Sequence, residues 1–275
     1  MWTYIGPFGN LLQIKCPIVG VAAPITRIGS EQFTLDGYRF VQRATVALRS
    51  WNITIDLATP DDIKELMSLE YGVYGPPPWK WYNPEAAYIN ILTPWLSAPG
   101  IPGPKKWITG SMPNPLVYPG PNILEVPAAA LQATSPSIPV LPGHSYVASV
   151  NLLDRPGGTT EAILRLRWVD AAGVQISQIN GSTTTSPNRA VVTGTAPVNA
   201  AGAVLILDPT TATTGRFGSV QLREGTADAN WNVGMGVESI SIATGLQQTL
   251  QEVYDEVRAG VIRQITTTLL EVQSA

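Results

Sequence analysis

The stretch Glu161-Ala-Ile-Leu-Arg-Leu-Arg-Trp-Val-Asp170 alternates with a period of two: Ala162, Leu164, Leu166 and Trp168 fall on one side, Arg165 and Arg167 on the other. Successive side chains of a strand point to opposite faces, so this pattern predicts a half-buried β-strand. Working outward, the same alternation recurs at Tyr146, Ala148, Val150 and Leu152 before it. After it come Ala203, Leu205 and Leu207, then Val220 and Leu222, then Ile240 and Ile242. Between these runs lie Asp-Ala-Ala-Gly (170–173), Ser-Thr-Thr-Thr-Ser (182–186) and Thr-Thr-Ala-Thr-Thr-Gly (210–215), which are polar turn chemistry. Several short strands at this spacing predict a β-sandwich over residues 145–243.

The bulk composition agrees. The chain has 275 residues with 24 Pro and 25 Gly, only 13% charged residues and 44% hydrophobic ones. Proline and glycine at this level favour short strands and many turns, while the apolar fraction is far too high for a disordered chain. The formal net charge of −3 and the lack of a basic run exclude a phosphate-backbone binder, so no nucleic-acid partner is expected. No stretch approaches the roughly 20 apolar residues that span a bilayer, so no membrane insertion is expected. The N-terminus lacks a charged, cleavable leader, which predicts a chain that matures where it is made. A single cysteine, Cys16, excludes an intrachain disulfide and reads as a small buried apolar residue.

In the first half, Thr45 to Asp56 reads as a strand, with Trp51, Ile53 and Ile55 on one face and Asn52 and Thr54 on the other. A short helix follows: Thr59 caps it, Pro60 fits its first position, Asp61 and Asp62 complement its dipole, and Gly72 closes it. Next comes Gly75-Pro-Pro-Pro-Trp-Lys-Trp-Tyr-Asn-Pro84, where Trp79, Trp81 and Tyr82 either pack on their own sheet or form a contact loop. Proline and glycine crowd residues 97–144. The expected organisation is therefore a β domain with one short helix over 1–105, a connector over 106–144, the sandwich over 145–243 and a terminal segment over 244–275. In that last segment Leu246, Leu250, Val253 and Val257, then Val261, Ile265, Leu269 and Val272, predict an amphipathic α-helix with one phase shift after Val257. Its seam, with Leu250, Val257 and Ile265 as interface candidates, packs on its own domain, self-associates or docks on another protein.

Catalytic signatures are scarce. A Ser/His/Asp or Cys/His unit would need His144, the single histidine, yet Cys16 lies in a different expected domain and no nucleophile elbow is present. One Cys and one His do not make a zinc site. Asp154, Glu161 and Asp170 flank expected strands and read as turn residues, with a glycosidase-type carboxylate pair as the competing reading. No phosphate loop or cofactor motif occurs, so no catalytic, metal or cofactor residue is assigned and the chain reads as non-enzymatic. A sugar-binding surface remains as a candidate. Trp231, in Asp228-Ala-Asn-Trp-Asn-Val, has the amide and carboxylate neighbours that accompany a stacking aromatic, whereas Trp168 reads as core.

The order of motifs from Trp51 to Pro94 carries a resemblance. A Trp-containing strand is followed by Thr59-Pro-Asp-Asp-Ile-Lys-Glu-Leu66, then Tyr71-Gly-Val-Tyr-Gly-Pro-Pro-Pro-Trp79, then Tyr82-Asn-Pro-Glu-Ala-Ala-Tyr-Ile-Asn-Ile-Leu-Thr-Pro94. This resembles the N-terminal domain of minor tail proteins from phages of actinobacteria, a relative of distal-tail β domains. The second half resembles a carbohydrate-binding-module jelly roll, through Tyr146-Val-Ala-Ser-Val, Ala162-Ile-Leu-Arg-Leu-Arg-Trp-Val-Asp, Thr193-Gly-Thr-Ala-Pro-Val-Asn-Ala-Ala-Gly-Ala-Val-Leu and Val220-Gln-Leu-Arg-Glu-Gly. Together these resemblances imply a mainly β structural subunit of a phage tail tip, residing in the virion and made in the host cytoplasm. The implied partners are copies of itself as a trimer or hexamer, and the tube, tail-tip and tape-measure-associated subunits. Host cell-wall glycan is a further candidate partner. Two other readings compete: a cell-wall glycan hydrolase or lyase using paired carboxylates, and a soluble carbohydrate-binding module.

Overall fold

The computed structural model describes residues 2–15, 25–26, 29–33, 39–43, 48–101, 107–109, 117–120, 122–127, 132–210, 214–237, 239–251 and 262–272. The protein is mainly β, and its second half is a β-sandwich. One sheet runs in the order Gln175–Asn180, Glu161–Val169, Gly202–Pro209, Ala133–Thr134, Ile108–Thr109, with Ile138–Pro139 and Thr184–Thr185 paired beside it. The other runs Arg189–Thr195, Ser145–Leu153, Gly215–Glu224, Ile123–Val126, Val117–Gly120. Every pairing is antiparallel. The period-two residues meet between the sheets: Tyr146, Ala148, Val150, Leu152, Ala162, Leu164, Leu166, Trp168, Leu205, Leu207, Val220 and Leu222 are each at most 1% exposed. Large-to-small changes at such positions cost about 2–5 kcal/mol each, so this cluster is the principal source of stability.

Described residues of 106–144, the stretch expected as a connector, belong to the sandwich. The short strands of this stretch extend both sandwich sheets, and Leu124, Val126 and Ala133 are fully buried in the shared core. Proline removes only a backbone donor, and a two- to four-residue strand near a sheet edge needs few of them. That is how a Pro-rich stretch still builds sheet.

A second core lies in the first half. Leu12–Lys15, Trp2–Gly6 and Lys80–Tyr82 form one small sheet; Ile240–Gln251, Ile262–Glu271, Leu48–Ala58 and Ile25–Thr26 form another. Gly29–Phe33 and Arg39–Arg43 make a separate hairpin. Ile5, Ile14, Trp51, Ile53, Ile55, Leu66, Leu69, Trp79 and Trp81 fill the space between elements, with the Trp51 and Trp81 rings edge to face at 5.0 Å. The expected helix spans Pro60–Glu70, and Thr59 and Asp62 form its reciprocal capping box.

The terminal amphipathic helix expected over 244–275 is corrected. The described residues there form an antiparallel hairpin, Ile240–Gln251 against Ile262–Glu271, and its second strand pairs along Leu48–Ala58. The reason lies in Ile262-Arg-Gln-Ile-Thr-Thr-Thr-Leu-Leu-Glu271, whose β-branched residues are poor helix formers and good strand formers. The open edge of Leu48–Ala58 supplies the partner, and Ile265, Thr267, Leu269 and Glu271 alternate inward at 1–2% exposure. The first-half sheet is thus completed by the last described strand, and the sandwich is an insertion between two of its neighbours rather than a following domain.

Two polar knots close this arrangement. Glu271, 2% exposed, accepts from the Arg49 guanidinium at both oxygens (2.9 and 3.0 Å) and from the Arg49 backbone N–H (3.1 Å). The same guanidinium donates to the carbonyls of Met235 and Gly236 at 3.2 and 2.6 Å. Further in, Asn90 is fully buried and wedged beside the strand Gly215–Glu224. Its amide donates to the carbonyls of Val220 and Asn232 at 3.2 and 2.8 Å, and its oxygen accepts from the N–H groups of Leu92 and Leu222, both at 3.2 Å. Residues 234–236 run alongside so closely that a Cβ on Gly236 would stand 1.6 Å from the Ile91 carbonyl oxygen.

Arg49→Met leaves the buried Glu271 carboxylate uncompensated, so urea denaturation should show a loss of about 3–5 kcal/mol, largely recovered in the Arg49→Met/Glu271→Met double variant. Gly236→Ala should cost about 3 kcal/mol in the same measurement, because the obstacle is backbone rather than a movable side chain.

Candidate functional site

The outer face of the five-stranded sheet carries the densest polar constellation. Register places side chains on this face in rows across three strands: Thr193, Val147 and Arg223; Val191, Ser149 and Gln221; then Arg189 beside Asn151. Arg189 organises one end. It donates to Asp228 (2.8 Å), Asn151 (2.8 Å), Ser149 (2.5 Å) and Gln221 (3.0 Å). The Ser149 hydroxyl donates to the second Asp228 oxygen at 2.7 Å, and Gln221 donates to the Ile89 carbonyl at 2.8 Å. Ser149 and Gln221 are buried, so both of their strands are covered on this side too at that row, which the sequence alternation alone does not show. A network this fully satisfied is rigid and holds the loop through Asp228 against the sheet.

Two aromatic residues border the same strand. Trp231 is half-buried, and its indole N–H donates to the Val220 carbonyl at 3.1 Å, between the exposed Asn230 and Asn232. Tyr88 is 68% exposed, and the Arg223 guanidinium carbon lies 5.0 Å from its ring centroid. Sequence reasoning reached Trp231 and missed Tyr88 and Arg223. Tyr88 belongs to the short helix Pro84–Ile89, far from the sandwich in sequence, and only the burial of Asn90 beside Gly215–Glu224 brings it to this face. Its one local signal was an aromatic among alanines whose own side chains are buried, Ala86 and Ala87.

The other expected residues fall elsewhere. Trp79, Trp81 and Tyr82 do not form an exposed contact loop, since they are 3%, 6% and 1% exposed. Lys80–Tyr82 pairs with Trp2–Gly6, the Trp79 backbone bridges Ile240, and the Trp81 indole donates to Thr3 Oγ1 at 2.8 Å. The exposed residues of that loop are the prolines at 76–78. Ile265 is buried in the second core, and Leu250 lies on the strand Ile240–Gln251 opposite Arg263. Cys16 and Val257 lie outside the described residues. Trp168 is core, as its alternation predicts. Glu161 and Asp170 stand at opposite ends of one nine-residue strand, about 30 Å apart at the usual rise and so too distant for a glycosidase pair. Asp154 accepts from the Ser186 hydroxyl at 2.6 Å, and Asp170 accepts from the backbone of its own turn.

No protein-family model matches the chain, and no curated protein matches it. Among solved structures, it aligns with a family 22 carbohydrate-binding module and xylanase unit of Clostridium thermocellum Xyn10B, complexed with xylohexaose. That alignment has 17% identity and a TM-score of 0.36, covering 45% of this chain and 27% of the other. Tandem family 22 modules of Paenibacillus barcinonensis Xyn10C align at 12% identity and a TM-score of 0.37, over 66% of this chain and 61% of theirs. The enzymatically active domain of bacteriophage CBA120 tailspike protein 4 aligns at 19% identity and 0.33, over 50% and 22%. Scores at this level are too low to argue from, so the reading of the surface rests on its own geometry.

His144 enters a chain of hydrogen bonds between the two cores. Its Nδ1 lies 2.7 Å from one Glu224 oxygen; the Tyr82 hydroxyl donates to the other. Tyr82 and Tyr146 share a hydroxyl contact at 3.1 Å, and the Tyr146 oxygen accepts from the Leu141 N–H at 2.8 Å. Burial, foremost, pushes both phenols well above the ordinary tyrosine value of 10.0, and the neighbouring Glu224 adds to it. The folded state therefore keeps two protons that the unfolded chain gives up above pH 10.0, so stability is full below that pH and falls as pH rises beyond it. Urea midpoints taken between about pH 8 and about pH 11 should show this decline, and Tyr82→Phe should make it shallower.

Proposed function

We propose that this chain is a structural subunit of a phage tail tip, whose first-half sheets mount on neighbouring tail subunits and whose sandwich presents the outer face described above to host cell-surface glycans. The observation that carries the reading is the insertion. The chain leaves the sheet at Leu48–Ala58, passes through the Lys80–Tyr82 strand into the sandwich, and re-enters the sheet at Ile240–Gln251, whose partner Ile262–Glu271 pairs with Leu48–Ala58 and clamps Glu271 to Arg49. A lobe held at its two ends by the two first-half sheets is a rigid display platform. The stretch from Trp51 to Pro94 that resembles phage minor tail proteins contributes a strand to each of these first-half sheets. On the displayed face, Tyr88 and Trp231 offer aromatic surface beside a fixed array of amides, hydroxyls and charges, the chemistry that stacks and hydrogen-bonds sugar rings. Weak single contacts suffice where symmetry repeats them.

Light scattering on the purified chain, together with mass analysis of whole particles, tests the assembly role. A stable trimer or hexamer and the chain's presence in virions support it; a monomer absent from particles overturns it. On immobilised host cell wall, Tyr88→Ala and Trp231→Ala should each weaken retention about two- to ten-fold.

A further inference from the structure

The other arginines on the sandwich have acceptors of their own: Arg155 donates to the Thr159 carbonyl and Arg167 to the Gln178 amide oxygen. Arg165 pairs with Asp208, Arg189 with Asp228 at 2.8 Å and Arg216 with Glu125 at 2.8 Å. Arg223 differs. Among the described residues no carboxylate, carbonyl or hydroxyl accepts from its guanidinium, and its Nε is buried without a partner. The acids nearest in sequence are engaged: Glu224 with His144 and Tyr82, Asp228 with Ser149 and Arg189. A part-buried cation without a counter-charge is unfavourable in the free protein, and a bound anion relieves that cost.

Its surroundings specify what kind of anion. Arg223 lies against Tyr88, an exposed aromatic ring. In register it shares a row with the fully buried Val147 and the exposed Thr193, and the next row adds Ser145 and Thr195, whose hydroxyls meet at 3.0 Å. From Arg223 to Thr193 the face spans two strand spacings, about 10 Å, roughly the length of a disaccharide. We propose that Arg223 recognises the carboxylate of an acidic glycan, a uronic-acid chain lying across this face. The guanidinium fork holds the carboxylate, Tyr88 packs on the sugar ring, and Thr193, Ser145 and Thr195 hydrogen-bond its hydroxyls. The proposal rests on the reading of this face as glycan-contacting and adds the charge of the ligand. The chain's net charge of −3 gives a polyanion no general attraction, so such binding must be local.

The test is calorimetric titration of the full chain with polygalacturonate, with its fully methyl-esterified neutral form, and with polyglutamate. Binding to polygalacturonate alone is expected, weakened about ten- to hundred-fold by Arg223→Gln and only partly restored by Arg223→Lys, which keeps the charge but loses the fork. Thermal melting of both variants, unchanged from the parent, separates lost recognition from lost folding. Equal binding of the neutral ester, unaffected by Arg223→Gln, overturns the acid specificity while leaving a glycan-contacting face. Equal binding of polyglutamate overturns sugar recognition in favour of charge alone. Binding to none of the three, together with no retention on host cell wall, overturns both this proposal and the reading beneath it.

Discussion

The buried amide of Asn90 is the constraint on which the two halves of the molecule depend. It has two donors and two acceptor sites on its side chain, and all four are taken by backbone groups from the strand Gly215–Glu224, its own segment and the 232–236 run. Its own backbone is satisfied as well, donating to Ala86 and accepting from Met235. A buried amide with any of these partners missing is costly, so the three segments hold a single mutual position. Everything on the outer face follows from that position. The helix that bears Tyr88 ends at Asn90, and Trp231 directly precedes Asn232, whose carbonyl accepts from the Asn90 amide.

The glycines at 234 and 236 are the complement of the same constraint. Each would carry a Cβ within about 2 Å of a carbonyl of Leu92 or Ile91. Neither needs an unusual backbone angle here; what each supplies is closeness. Asn90 and these glycines together make a seam in which backbone meets backbone, sealed outside by the Arg49 guanidinium on the Met235 and Gly236 carbonyls.

How far the sequence could be read follows from which interactions are local. Alternation at 146–152, 162–168 and 203–207 is a property of single strands, so the sandwich and its core were legible without any partner. The cap at Thr59 is equally local. The terminal hairpin was not legible as such, because Val261, Ile265 and Leu269, spaced by four, fall on one face of a strand as well as on one face of a helix. Only the open edge of Leu48–Ala58 decides between them. The aromatic cluster at 79–82 misled for a related reason: burial there is supplied by the first strand, the terminal hairpin and the sandwich, all distant in sequence. On the outer face, Trp231 announced itself by its polar neighbours, whereas Arg223 is significant for a counter-charge that is missing, which no sequence pattern records.

The insertion has a consequence for the order in which the chain acquires structure during synthesis. Arg49 and Glu271 are 222 residues apart, and the strands they join cannot pair until the second has been made. The sandwich contains all its own strands between these points, so it can condense while the first-half sheet still lacks its central strand. Closing so long a loop from a flexible chain would be slow, but a folded sandwich brings its two ends together in advance and shortens the search. That sheet therefore closes only after Ile262–Glu271 has been made. The sandwich strands are all present before the sheet that holds them can close.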